Sequence, residues 1–170
     1  MLRLNQVLLA LAVLTTSEQV LADQVNGLVR VSGTAAAKQV AITKETEFSG
    51  TNLCPGDKAK RLIALESMIV KVWGNTREQN GSKCFDIGSF SVLKTPAGRE
   101  AIVGTLTQHD GVFQITTDDG RSMRLVSVPD GLKAMSGKKV IVDLKSVETP
   151  ESTQELTTSG FKAVYYAEFP

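Results

Sequence analysis

Leu62-Ile-Ala-Leu65 followed by Val70-Lys-Val72 returns about 70 residues later as Leu132-Lys-Ala-Met135 followed by Val140-Ile-Val142, and recurrence at such a period marks a duplicated structural unit. Two further blocks coincide upstream at a similar shift: Val31-Ser-Gly-Thr34 with Ile102-Val-Gly-Thr105, and Val40-Ala-Ile-Thr43 with Phe113-Gln-Ile-Thr116. Around these blocks, alternating runs bounded by Gly, Pro, Asn and Asp recur about every ten residues, while helical periodicity is scarce. The chain reads as mostly β. Candidate strands are Leu28 to Ser32, Gln39 to Thr43, Ile69 to Trp73, Cys84 to Leu93, Ile102 to Thr107, Val112 to Thr117, Ser122 to Val126, Lys139 to Val147 and Lys162 to Phe169. Asp110-Gly111 and Asp118-Asp119-Gly120 supply the positive-φ residues that tight hairpins between Ile102 and Val126 require.

Each repeat thus runs strand, turn, strand, polar strand or loop, a short helical Leu-x-x-Leu/Met segment, a β-branched strand and a final aromatic-bearing strand. A helix between the third and fourth strands of a five-stranded barrel is the layout of the OB-fold, and both halves resemble it. The resemblance implies an all-β chain with short helices, built from two tandem OB-like five-stranded barrels. Two SH3-like barrels or one continuous sandwich share a similar strand list. The likeness lies at the level of a superfold, so it brings no catalytic or binding residue with it. Thr95-Pro-Ala-Gly98 is the boundary, dividing the chain into Asp23 to Thr95 and Pro96 to Pro170. Units of about 70 residues have only a marginally sufficient core, so the halves are expected to pack on each other.

The chain opens with Arg3, an apolar run from Val7 to Leu14, and then Val20-Leu21-Ala22 before Asp23. The run is too short to span a bilayer, and small or medium residues at minus three and minus one fit a secretory signal peptide cleaved after Ala22. An exported protein of bacterial type, periplasmic or secreted, with no membrane span in the mature chain, is the expectation. In that oxidising compartment the only two cysteines, Cys54 and Cys84, are expected to pair. A loop of that length corresponds to about 3.6 kcal/mol in the chain-entropy model. Their spacing is not the Cys-x-x-Cys of a redox pair.

The 170 residues are 42% hydrophobic and 22% charged, with 19 basic against 18 acidic side chains. That balance places the chain among ordinary globular proteins and gives it no electrostatic footprint for nucleic acid. Nine aromatics scattered along the chain do not make a base-stacking groove either. The halves differ in sign: ten basic and seven acidic residues lie between Asp23 and Thr95, eight and ten from Pro96 onward. Lys58-Ala-Lys60-Arg61 is the densest basic cluster and reads as a solvated face.

The inventory for catalysis is thin, and a non-enzyme is expected. His109, the only histidine, falls at a hairpin tip with no second histidine or spare cysteine to complete a transition-metal set. Asp118-Asp119-Gly120 lacks the alternating oxygen ligands and closing Glu of a calcium loop and reads as a turn. No Gly-x-Ser-x-Gly elbow, P-loop or dinucleotide fingerprint occurs, so no cofactor is implied. The expected role is a binding or accessory module docking on a protein partner or an extended polymer of the cell envelope. Alternation places Val70, Val72, Val140, Val142 and Leu144 inward. It places Lys71, Trp73, Ile141, Asp143 and Lys145 outward. Lys71 and Trp73, with Arg77, Lys83 and His109, form the candidate binding surface, and the polar stretch from Glu148 to Gly160 is the candidate recognition loop. Two alternatives stand beside this reading. An envelope-polysaccharide binder or modifying protein would draw acids from Asp86, Asp118, Asp119 and Asp143, and the other is a cation- or small-ligand-binding stress protein.

Overall fold

Alternation governs the longest strands directly. Along β4 (Ile69–Gln79), Val70 and Val72 are fully buried while Lys71 and Trp73, which alternate with them, are half-buried. Such a strand can only sit with one face on a core. Its turn to β5 (Ser82–Lys94) is Asn80-Gly81, with φ of 53° and 74°, and the β6 (Ile102–His109) to β7 (Val112–Thr117) turn is Asp110-Gly111, with φ of 49° and 78°. Two consecutive positive φ values select these dipeptides and set the strand register.

The computed structural model describes residues 22–46, 49–149 and 158–170. The remaining elements are β1 (Asp23–Thr34), β2 (Ala37–Thr43), β3 (Gly50–Asn52), α1 (Asp57–Ile63), β8 (Ser122–Ser127), α2 (Asp130–Lys133), β9 (Lys139–Thr149) and β10 (Thr158–Glu168). The fold is all-β with short helices. The first half forms a five-stranded sheet in the order β3-β2-β1-β4-β5, and the second closes into a barrel in the order β10-β8-β7-β6-β9. In both, the first three strands form a meander and the fourth lies beside the first, with the fifth beside the fourth. The helix intervenes between third and fourth strands, as in an OB-like barrel.

The equivalence extends to single bonds. Val29 N–H donates to the Met68 carbonyl at 2.9 Å, and its own carbonyl accepts from Ser67 at 3.1 Å. Leu106 repeats this with the Lys138 carbonyl at 3.0 Å and Gly137 N–H at 2.7 Å. Ser67 and Gly137 both take positive φ, 67° and 84°. Leu62 on α1 and Leu132 on α2 are each fully buried beneath these connections. Val70 pairs with Gly27, and Val140 with Gly104.

That register corrects one block of the sequence repeat. Gly104 corresponds to Gly27, not Gly33: a Cβ on either would run into a threonine carbonyl across the ladder, of Thr43 or of Thr116. Gly33 instead lies beside the β1–β2 turn with φ of 96°. The first strand also starts at Asp23, earlier than expected, and β3 adds a strand the periodicity did not show.

Two hydrophobic cores result. Val29, Val40, Ile42, Leu53, Leu62, Leu65, Met68, Val70, Val72 and Phe85 dominate the first, and Leu106, Ile115, Leu125, Leu132, Val140 and Val142 the second. Ile141 and Asp143 do not face solvent as alternation alone suggested. Ile141 is fully buried in the first core, although it belongs to β9, and Ala101, Val103, Tyr165, Ala167 and Phe169 pack against the same core. Asp143 is 3% exposed and ion-paired to Arg99. The outer face of β9 is therefore a contact between the halves, and only Lys145 among its expected outward residues is exposed. Arg61 stays exposed, as a solvated face requires, yet it also reaches the second half. Its guanidinium lies 5.5 Å from the Phe90 ring centroid and 6.0 Å from that of Phe169, and Nε donates to the Pro170 carbonyl at 3.0 Å. Phe90 and Phe169 stack with centroids 5.7 Å apart.

Candidate functional site

The disulfide between Cys54 and Cys84 is formed, with Cα atoms 4.9 Å apart. It lies where β3 ends. Leu53 N–H donates to the Val40 carbonyl at 2.9 Å, and Cys54 N–H turns away to the Phe85 carbonyl at 2.9 Å. Pro55 and Gly56 then lead into α1. The chain thus leaves the sheet early, and a groove of about 420 Å³ opens where a longer β3 would run.

Its walls come from β2, from the start of α1 and from the tip of the β4–β5 hairpin, with an apolar base of Val40, Leu53 and Ile63. Lys38, Lys60 and Lys83 line it together with the amides of Gln39, Asn52, Gln79 and Asn80, and no carboxylate is among its lining residues. Lys60 Nζ lies 3.4 Å from the exposed Asp57 carboxylate. Lys38 and Lys83 have no ion-pair partner among the described residues. Three ammonium groups and no lining acid give the groove a positively charged wall.

The five residues expected to form one surface are divided. Lys71, Trp73 and Arg77 occupy alternate positions on β4, with Lys71 Nζ 5.1 Å from the Trp73 ring centroid and Arg77 3.3 Å from the Asp86 carboxylate. Lys83 faces Glu78 in the ladder and lines the groove. His109 ends β6 in the second half, its Nδ1 2.9 Å from Asp110. The stretch from Glu148 to Gly160 is not one loop: Val147 to Thr149 pair with Thr158 to Gly160, and residues 150–157 fall outside the described part, as does the expected signal peptide.

Each acid considered for catalysis has a cationic partner. Asp86 faces Arg77, and Asp143 faces Arg99. Lys139 Nζ lies 2.6 Å from Asp118, and Arg121 Nε 2.9 Å from Asp119. The Thr117 hydroxyl and Arg121 hold the Asp119 carboxyl below its usual range, as Lys133 does for Asp130. Burial pushes the Tyr165 phenol up. Asp118 and Asp119 form a turn closed by Gly120 N–H to the Thr117 carbonyl, as expected. Among the described residues no cluster of three or more His, Cys, Asp or Glu is placed to hold a metal, and no helix is long and apolar enough to cross a membrane.

Lys38, Lys60 and the Asn80 hairpin were not anticipated as site residues. Asn80-Gly81 carries the type I′ signature that would have located the hairpin tip. The gap beside it depends on the length of β3, for which Gly50-Thr-Asn52 offers no periodic pattern. No family model, curated protein or solved structure matches the chain.

Proposed function

We propose that the protein is a non-catalytic binding module of an oxidising, extracytoplasmic compartment, made of two copies of one OB-like unit, with the division near Thr95 and Pro96. In this reading the first copy holds an extended anionic ligand in the lysine-lined groove, and the β4 face bearing Lys71 and Trp73 is a second contact, for a protein partner. The observation that carries it is the groove itself, whose lining has three lysines and four amides and no acid. The acids Asp86, Asp118, Asp119 and Asp143 are meanwhile tied to cations. Such a surface is equipped to recognise rather than to transform. The shared connectivity and the matching Val29 and Leu106 hydrogen bonds support duplication, and the disulfide supports the compartment.

Fluorescence anisotropy of labelled polyglutamate against labelled dextran tests the reading. Polyglutamate is expected to bind and to be released as salt rises past physiological strength, because exposed charges are screened over about 8 Å there. Dextran is expected not to bind. Equal binding of both polymers, or of neither, removes the proposal. Trp73→Ala addresses the second contact: capture of an envelope partner unchanged by it would eliminate the β4 face.

A further inference from the structure

The groove has two strand edges in it, which determines the form of ligand it fits. β3 pairs with β2 only from Gly50 to Asn52, opposite Thr43 to Ala41. Beyond that point β2 continues back to Ala37, and Lys38 and Gln39 pair there with Gly33 and Ser32 of β1 alone. On the other side, Ser82 and Lys83 of β5 pair with Gln79 and Glu78 of β4 alone. Both stretches line the same groove. In an antiparallel ladder every second residue directs its N–H and C=O away from its partner strand. The β2 stretch therefore presents backbone donors and acceptors to the gap, a ready template for another strand, and the β5 stretch faces it across the groove.

Resting on the binding-module reading above, we propose that this gap takes an extended acidic peptide by strand addition to the free edge of β2 beyond Asn52, with the start of β5 as the facing wall of the groove. Backbone groups of β2 bond the peptide main chain, and Lys38 and Lys83, which lack carboxylate partners among the described residues, receive its Glu or Asp side chains. Gaps of three or four strand residues span about 10 to 13 Å, which sets the bound segment at that length. The apolar base of Val40, Leu53 and Ile63 accepts the side chains that alternate with the acids. Among the described residues the second half has no equivalent opening at this place, because β8 is six residues long and β10 pairs with it at Leu125 and Ser127.

The test uses the full chain with its disulfide intact and a labelled, capped hexapeptide alternating Glu and Val. Comparators are the same peptide with alternate backbone amides N-methylated, and labelled polyglutamate and polygalacturonate. The plain peptide is expected to bind, N-methylation to weaken it by about tenfold or more, and Lys38→Glu with Lys83→Glu to do the same. Both lysines are exposed, so the double variant is expected to keep its thermal midpoint. Undiminished binding of the N-methylated peptide overturns strand addition, and undiminished binding to the double variant overturns the site. If the peptide fails while polyglutamate or polygalacturonate binds in a lysine-dependent way, the strand proposal falls and the binding-module reading survives. If no anion binds, both fall.

Discussion

The two halves share one connectivity but close in different ways. In the second, β10 pairs with β9 over most of its length and meets β8 in parallel at Phe161 with Leu125 and Lys162 with Ser127, so the ladder runs round the barrel. In the first, β3 and β5 meet at a single parallel bridge, Leu53 with Phe85, flanked by the Cys54–Cys84 disulfide. A covalent link stands where the sister unit has strand pairing. The comparison sets one backbone bridge and one covalent bond against a strand ladder, and the strand length saved there becomes an opening.

The largest effect expected on this contrast is loss of that bond. Cys54→Ala with Cys84→Ala is expected to cost about 3 to 4 kcal/mol in chemical denaturation. Amide exchange is expected to rise first in β3 and the adjoining part of β5, with β8 and β10 keeping their protection. Equal loss of protection in both halves would break the contrast. Next come the helix plugs. Leu62→Ala and Leu132→Ala remove side chains of the same role and full burial, so each is expected to cost about 2 to 5 kcal/mol. Comparable thermal shifts would sharpen the equivalence of the units, and a near-neutral Leu132→Ala would break it.

The smallest effect concerns a turn of the second half alone. Asp119, an exposed side chain, has its pKa lowered from 3.8, chiefly by the Thr117 hydroxyl. A carboxyl lowered on folding adds stability above its unfolded pKa and loses it as pH falls through the native value. Asp119→Asn is therefore expected to show a shallower decline of stability below about pH 4 than the parent. Parallel acid-unfolding curves would refute this.

Much of this architecture was legible in the chain. Alternation placed most strands, the Leu-x-x-Leu/Met segments located both plugs, and an even cysteine count in an expected export context anticipated the bond. What local pattern could not supply was register and neighbourhood. Gly33 and Gly104 match as letters in Val-Ser-Gly-Thr and Ile-Val-Gly-Thr, but it is Gly27 that shares Gly104's register, the one opposite Val70 and the other opposite Val140. Alternation separated Ile141 and Asp143 from Val140 and Val142 correctly. It could not say that their side of β9 meets another core. The same holds for the candidate site: Lys71 and Trp73 were put on one face, whereas the groove depends on where β3 stops.

Ile141 lends its side chain to a core otherwise built from earlier residues, and Ala101, Val103 and Phe169 lie against that core too. During vectorial synthesis the leading unit therefore emerges with an unfilled seat and bare apolar wall. That seat is filled only by chain made later, so the first core is complete only once β9 has been added.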